Sequence, residues 1–478
     1  MNKKVSLNYI YNLIYQIISV SLPILTVPYV SRVLGPNELG KYYYVTSIVT
    51  YFGIIAVLGT VSFGQREIAK VQQDIKLRSK LFWEIYWFRA FFIFLSFIIY
   101  IVFTFFLYKK YISLFLANIF TFLAWLFDVS WYFQGVENFK VTAVRNSLVK
   151  IIITSLIFVL VKNPSDVFIY TCIYSVANMF GNLTMLPYLK QEIVFIKVSF
   201  KNIFSNTREI LELFLPVVAI QLYSVLNKIM LGAMSNTIQV GFFSQIYTVV
   251  NLAITLIYAF VAVLTPRIAF LYNSGNSLKV KYYTRVAIGN VYMMGLPMMV
   301  GSLCVGNLFV PIFFGTSYIK AIPIMYVMSF LFVIIGMGQL LGSFLVAINR
   351  QRQYTIAVSI TAVVNIILNY IVLKMGFEAI GVSLVTVISE LLCTLIQCYY
   401  LRDLVETKDY FKYFLHYLSP SIIIIALSLI LKVLIRSNAI CLIFSVILSV
   451  AFYFIILYIK DDVLFKELIS PFINKFNK

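Results

Sequence analysis

Charged side chains are scarce in this chain of 478 residues. Asp, Glu, Lys and Arg together make up 12% of it, whereas soluble domains contain about 25%. The five cysteines are scattered, and the closest two, Cys393 and Cys398, are separated by four residues. This spacing gives neither a CxxC redox pair nor a zinc site. The composition therefore excludes an ordinary soluble domain, a disordered chain and a disulfide-stabilised scaffold.

Residues for catalysis are also few. The chain contains a single histidine, His416, and a lone histidine is more often structural than catalytic. The nearest approach to a phosphate-binding loop, residues 301–306, is followed by Asn307 and Leu308, where a lysine and a hydroxyl residue are required. We therefore expect no enzyme activity, no cofactor and no metal site. The net charge of +20 is interpreted as charge that orients membrane helices rather than charge that binds nucleic acid.

Apolar residues are abundant instead, at 62% of the chain. They form fourteen stretches that are long enough to cross a bilayer, which takes about 20 residues. Because the hydrocarbon core contains no water to satisfy the backbone, such stretches must be helical. The sequence therefore predicts an all-α, polytopic membrane protein with fourteen transmembrane helices. These are placed at residues 8–31, 42–64, 81–107, 111–133, 145–161, 167–189, 210–233, 241–265, 285–309, 321–347, 354–373, 378–400, 414–434 and 439–459.

Lys and Arg residues are distributed unevenly between the two sides of the predicted membrane protein. Most of them lie in loops on the side of the N-terminus, and positively charged loops remain in the cytoplasm. Both termini are therefore predicted to be cytoplasmic, with residues 460–478 forming an interfacial or solvated tail. Trp83, Trp87, Trp125 and Trp131 fall at span ends on this same side, as expected of rings at the headgroup level.

A faint internal repeat divides the chain. Leu34 and Gly35 are followed by Gly40 and an aromatic-rich span, and a similar pattern begins at Leu231 and Gly232 and reaches Gly241. Six spans separate the copies, so both have the same orientation, as in transporters built from parallel repeats. We therefore predict two six-helix lobes, a first at residues 1–209 and a second at 210–400. Residues 401–478 hold two additional helices and the tail.

Ionisable side chains occur inside the predicted spans, among them Arg89 and Asp128 of the first lobe and Lys228 of the second. Each costs about 2.5–3.5 kcal/mol near the bilayer centre. Arg89 and Asp128 occur at similar depths of neighbouring spans, which predicts a structural ion pair. Lys228 lies deep in the seventh span with no acidic residue nearby in its own helix. It either extends outward to the membrane surface or faces a central cavity.

Glu390 is the deepest carboxyl group of the predicted second lobe. It lies near the middle of the twelfth span, where a carboxyl group either couples transport to protons or sodium ions or remains neutral and packs between helices. Asn365 and Asn369, four residues apart in the eleventh span, place two amides on one helix face. This spacing favours hydrogen bonds to a neighbouring helix over the lining of a cavity.

Several segments resemble the bacterial polysaccharide flippase family, the Wzx-type members of the multidrug/oligosaccharidyl-lipid/polysaccharide exporter superfamily. The resemblance extends over the whole chain in span number, but its specific motifs are concentrated in spans 1 to 4, 7 and 8. These motifs are LPILTVPYVSRVLGPNELGKY at 22–42, GQREIA at 64–69, FDVSWYFQGVENFK at 127–140, NKIMLG at 227–232, VGFFSQIY at 240–247 and TPRIA at 265–269.

The resemblance implies a function in the bacterial cell membrane. Relatives move undecaprenyl-pyrophosphate-linked oligosaccharide units between leaflets by alternating access, alongside other polysaccharide assembly proteins. By this resemblance Arg32, Arg66, Lys228 and Arg267 are substrate-binding candidates, although each also fits a simple role as an orienting charge. Many relatives carry an acidic residue where this chain has Asn227, so proton or sodium coupling is assigned to Glu390 instead.

Three alternatives remain open at this stage. A multidrug antiporter of the same superfamily usually has twelve spans, whereas a lipid II flippase has fourteen. A membrane polysaccharide polymerase would be expected to carry a large outer loop with catalytic side chains, and the predicted outer loops are short. The frequent Ile, Lys, Asn, Phe and Tyr residues suggest a low-GC bacterium, which favours capsule over O-antigen as the polysaccharide.

Overall fold

A computed structural model describes residues 3–466 of the chain. Side chains are described throughout this range except those of residues 3–10, 12, 13, 107, 213, 215–220 and 222–224. Every regular element in this range is helical, which confirms the all-α prediction. The end of the predicted tail, residues 467–478, lies outside the described residues.

The chain divides into two compact units, Met1–Gly241 and Phe242–Lys478. The helices that begin in the first unit are α1 (Lys3–Val57), α2 (Thr60–Lys70), α3 (Ile75–Val102), α4 (Ile112–Ala117), α5 (Ile119–Leu126), α6 (Ser130–Gly135), α7 (Phe139–Leu160), α8 (Val167–Leu183), α9 (Leu186–Glu192), α10 (Phe200–Ile203), α11 (Thr207–Met234) and α12 (Thr237–Asn273). The second unit continues with α13 (Ser277–Phe314), α14 (Ile322–Met328), α15 (Leu331–Ala347), α16 (Gln351–Lys374), α17 (Glu378–Tyr400), α18 (Thr407–Leu434) and α19 (Asn438–Ile459).

Helices overlap all fourteen predicted spans, but the number of complete crossings is smaller by length and composition. In the part of the chain that the structure describes, ten helices are long and apolar enough to cross a membrane. The number becomes eleven if Thr316–Met328 and Leu331–Ala347, bent by 47°, count as one span. The first two predicted spans are one continuous helical run that is broken at Gly35, and α8 has only 17 residues.

Gly35 produces the break in α1. Its backbone angles, φ 69° and ψ 175°, lie in a region that glycine adopts without steric cost. Pro36 follows, and proline is well tolerated in the first turn of a new helical segment because its missing N–H needs no partner there. The break therefore separates the two predicted spans without an intervening loop.

The core of the first unit is aromatic at the end near α2, α3 and α6. The rings of Phe82 and Trp131 stack with centroids 5.3 Å apart, and Gly64 lies so close to Trp131 that an added Cβ would be 2.4 Å from its ring. Trp131 is fully buried against protein, and its predicted position at the headgroup level stays a prediction. Trp87 remains exposed, as a ring at the headgroup level would be.

The second unit is built around α13. The last two helices pack against it, and the hydroxyl group of Tyr453 on α19 donates a hydrogen bond to the carbonyl oxygen of Met293 at 2.8 Å.

The two asparagines of α16 are linked to each other: the amide group of Asn369 donates a hydrogen bond to the Asn365 side chain at 2.9 Å. Asn365 in turn donates to Ser389 of α17 at 3.1 Å. The amide pair therefore joins two helices, as its spacing predicted.

The boundary between the units falls at Gly241, one helix beyond the predicted lobe boundary at residue 209. The reason is that α11 packs against α1: an added Cβ on Gly232 would be 2.2 Å from the ring of Tyr44. The two C-terminal helices, predicted to stand apart from the second lobe, belong to the same compact unit as α13.

At the repeated glycines, the backbones of α1 and the start of α12 approach each other closely within the first unit. A Cβ on Gly40 would be 1.7 Å from the carbonyl oxygen of Thr237, and one on Gly241 would be 1.9 Å from that of Pro36. The Thr237 hydroxyl group also donates to the Asn37 side chain at 2.7 Å. The two copies of the repeat therefore meet each other, through residues in the same position of each copy.

We predict that Gly40→Ala lowers the melting temperature of the purified protein, because the new methyl group must separate α1 from the start of α12. Gly301→Ala is the matched control, since no atom lies within 4 Å of its added Cβ and alanine favours a helix by roughly 1 kcal/mol over glycine. Equal melting temperatures for the two variants would contradict the close packing.

Candidate substrate site and buried charges

Lys228 lies on α11 and faces α1. Its Nζ atom is 5.3 Å from the centre of the Tyr43 ring, within the range of a cation–π interaction. The lysine is half-buried, and the preceding Asn227 is buried. The contact holds the ammonium group against an aromatic face inside the first unit. Lys228 therefore does not lie as an exposed charge on the helix.

Tyr43 belongs to a group of four tyrosines from α1 and α8 in ring contact, which we call the tyrosine group: Tyr42, Tyr43, Tyr170 and Tyr174. The ring of Tyr42 is 5.2 Å from that of Tyr43 and 4.8 Å from that of Tyr170. The rings of Tyr170 and Tyr174 are 5.1 Å apart. Such a group presents apolar ring faces and hydroxyl groups together. The group was not predicted from the sequence, although Tyr170 and Tyr174 have the four-residue spacing of one helix face.

The other three cationic candidates are more exposed. Arg32 is exposed on α1. Arg66 is exposed on α2, where its Nε atom is 2.8 Å from the Glu67 carboxylate. Arg267 belongs to the second unit, and its guanidinium group lies 5.6 Å from the centre of the Tyr283 ring. Of the four candidates, Lys228 is thus the one held inside a unit among aromatic side chains.

Arg89 and Asp128 lie together, as the sequence predicted. The Arg89 side chain is 2% exposed, and its Nη2 atom is 3.1 Å from the Asp128 carboxylate. Arg145 of α7 approaches the same carboxylate at 3.9 Å and also donates to the Asn182 side chain. The cluster therefore contains two guanidinium groups and one carboxylate, which leaves it with an excess positive charge. Sequence analysis did not single out Arg145.

Glu390 is buried on α17 in the second unit. Three tyrosines, Tyr247, Tyr258 and Tyr354, lie within electrostatic range of its carboxyl group. A carboxyl group among phenols has hydrogen-bonding groups nearby in both its neutral and its charged form. The position therefore fits either an ion-coupling site or a neutral packing role, the two alternatives that the sequence left open.

His416 has a structural partner. Its Nε2 atom is 2.7 Å from the Asp462 carboxylate, which also accepts a hydrogen bond from Tyr417 at 3.2 Å. Residues 3–466 contain no group of three His, Cys, Asp or Glu side chains that could hold a metal ion.

Arg350, which lies between α15 and α16, donates two hydrogen bonds to Asp403 in the loop after α17. This pairing lowers the pKa of Asp403.

The arrangement of helices is similar to that of two solved membrane proteins. The structure of the lipid II flippase MurJ in an inward closed conformation is similar, with a TM-score of 0.74 at 15% identity, over 98% of this chain and 99% of that one. An inward-facing multidrug resistance MATE family transporter of the MOP superfamily gives a TM-score of 0.56 at 16% identity, over 80% and 94%. Identities this low establish a shared fold alone.

The chain belongs to the polysaccharide biosynthesis protein family, whose model matches residues 5–271, more than half of the sequence. A protein of Escherichia coli (strain K12) assigned as an O-antigen transporter is 24% identical over 400 residues, which is 83% of this chain and 96% of the relative. The resemblance to polysaccharide flippases, inferred from the motifs, is thereby confirmed. The protein is a multi-pass membrane protein of this family.

We predict that Asp128→Asn strongly destabilises the protein, because it removes the carboxylate that pairs with the buried guanidinium group of Arg89 and the partly buried one of Arg145. Breaking a buried ion pair costs roughly 3–5 kcal/mol, and the melting temperature of the purified protein should fall accordingly. Asp461→Asn is the control: its carboxylate also pairs with a cation, Lys466, but is 78% exposed, and exposed pairs contribute little. If both variants melt alike, the cluster does not stabilise the fold.

Proposed function

We propose that this protein moves undecaprenyl-pyrophosphate-linked oligosaccharide units from the cytoplasmic to the outer leaflet of a bacterial cell membrane, for assembly of a capsule or another surface polysaccharide. The proposal includes fourteen membrane crossings, cytoplasmic termini and alternating access between two lobes. Family membership and the assignment of the Escherichia coli relative support the substrate class.

The observation that carries the proposal is Lys228 beside the tyrosine group. A pyrophosphate and several sugars cannot cross hydrocarbon unaided, since each unsatisfied polar group costs several kcal/mol. A cation can balance the pyrophosphate and donate charge-assisted hydrogen bonds to its oxygens. Tyrosine rings pack against the apolar faces of sugars while their hydroxyl groups bond to the sugar hydroxyls. Lys228 and Tyr43, which is in ring contact with the rest of the tyrosine group, therefore offer both kinds of recognition side by side.

Arg32, Arg66 and Arg267 are proposed to assist at other stages of the passage. Their exposure suits transient contacts with a moving anion better than a fixed site. Arg66 already pairs with Glu67, so it must exchange that partner for a phosphate. No such exchange is needed at Lys228, whose ammonium group lies over a neutral ring.

Deleting the gene should stop display of the surface polysaccharide while the lipid-linked unit accumulates on the cytoplasmic side. The reason is that assembly outside the membrane receives no substrate. Immunoblotting of surface polysaccharide and mass spectrometry of extracted lipid-linked units measure the two effects. Normal export would refute the assignment, accumulation of unpolymerised units on the outer face would identify a polymerase, and arrest of cell-wall growth with lipid II retained inside would identify a lipid II flippase.

The same deletion strain tests the site by complementation. Lys228→Gln should reduce export about ten- to hundredfold, because a hydrogen bond to a charged group contributes roughly 1.5–3 kcal/mol, whereas Lys228→Arg should restore part of it. Lys374→Gln is the matched control, since this lysine also lies over a tyrosine ring, Tyr370, at 5.8 Å but at an exposed helix end. Equal export by the two glutamine variants would remove Lys228 from the site.

Glu390 is proposed to couple the movement to a proton or sodium gradient by binding the ion during the transport cycle. In liposomes, Glu390→Gln should abolish the acceleration of transport by an imposed gradient while leaving gradient-independent movement in place. Glu212→Gln, which changes an exposed carboxylate paired with Arg208, serves as the control. Undiminished acceleration in the Glu390 variant would assign this carboxyl group to packing alone.

A further inference from the structure

An apolar groove runs between α7 and α8 in the first unit. On α7 it extends from Arg145 to Leu160, and on α8 from Phe168 to Thr184. At a rise of 1.5 Å per residue it is about 22 Å long on α7, and it encloses about 480 Å³. Nearly all of its lining is aliphatic or aromatic.

The groove is open along its side. Leu148, Ile152 and Leu160 line it and are each roughly half exposed, so their side chains face the surrounding membrane. The helices come closest near one end, where an added Cβ on Gly181 would be 2.2 Å from a methyl group of Val149. This contact brings the backbone of α8 against α7 beside Arg145 and closes the floor of the groove at its charged end.

Arg145 is the one charged residue in the lining. It belongs to the cluster with Arg89 and Asp128, in which two guanidinium groups share one carboxylate. Within the described residues, the Nε atoms of both arginines and Nη1 of Arg89 have no hydrogen-bond acceptor. The groove thus combines a long apolar wall with excess positive charge at one end, which is complementary to a lipid that carries a phosphate.

The length of the groove distinguishes between lipids. An acyl chain of an ordinary phospholipid fills one leaflet, half of a hydrocarbon core about 30 Å thick, whereas the groove continues for about 22 Å. A tail that fills it must extend beyond the midplane, as a polyprenyl chain does. We propose that this groove holds the polyprenyl tail of the lipid-linked substrate, with the phosphate end at Arg145 at a stage of the passage before the headgroup reaches Lys228. This inference rests on the proposed function.

Adjacent isoleucines provide a matched test. Ile152 lines the groove and is 50% exposed, whereas Ile151 is 43% exposed and does not line it. Tryptophan at position 152 should fill the groove, and tryptophan at position 151 should point into lipid. Binding of undecaprenyl phosphate, undecaprenol and the short-chain citronellyl phosphate to the purified full-length protein is measured for the wild type, Ile152→Trp and Ile151→Trp.

The expected result is that Ile152→Trp binds undecaprenyl phosphate about tenfold more weakly, equivalent to about 1.4 kcal/mol, while Ile151→Trp binds it like the wild type. Citronellyl phosphate, too short to occupy the groove, should bind all three proteins alike. Undecaprenol should bind the wild type more weakly than its phosphate does, because Arg145 then has no anion to bind.

Equal affinity of the two tryptophan variants for undecaprenyl phosphate would overturn the inference. Competition by dioleoylphosphatidic acid as effective as that of undecaprenyl phosphate would also overturn it, since the groove would then hold a bilayer lipid. The proposed function fails separately: if the deletion strain exports polysaccharide normally, the function is wrong even where the binding results agree with the groove.

Discussion

The cost of an unsatisfied polar group in hydrocarbon is the constraint on which this structure depends. It requires helices, because a helix satisfies its backbone within one segment. The same cost explains why buried polar side chains form hydrogen bonds. The hydroxyl groups of buried Thr284 and Ser421 donate to backbone carbonyl groups one turn earlier, and a buried amide donates to a neighbouring helix. The same cost makes a carrier necessary for any lipid whose headgroup contains sugars and phosphate.

Positive charges inside the first unit are stabilised in two different ways. Arg89, Arg145 and Asp128 form a cluster in which a carboxylate offsets part of the positive charge. Lys228 instead lies over a tyrosine ring, which attracts a cation through its quadrupole without carrying a charge of its own. A cation held in this way can exchange the ring for an anion at little cost. This difference is the physical reason to assign substrate binding to Lys228 and lipid anchoring to the cluster.

Much of the fold could be predicted from the sequence, because apolar length determines where membrane helices occur. The pairing of Arg89 with Asp128 followed from their equal depth, and Gly40 and Gly241 were visible as a repeat. What could not be predicted depends on three-dimensional proximity. Arg145 resembles any orienting charge until α7 is placed beside Asp128, which lies between α5 and α6, and the tyrosine group requires α1 and α8 together. The packing of α11 against α1, which moves the unit boundary to Gly241, leaves no sign in hydropathy.

We propose that this chain alone carries a pyrophosphate-linked glycolipid across hydrocarbon. The most direct test is leaflet-resolved movement of a defined undecaprenyl-pyrophosphate-linked oligosaccharide in liposomes that contain only the purified protein. We expect the glycan to become accessible to an external lectin far faster than in protein-free liposomes, and a water-soluble oligosaccharide without the lipid not to be moved. Identical rates with and without the protein, under an imposed ion gradient as well as without one, would contradict it.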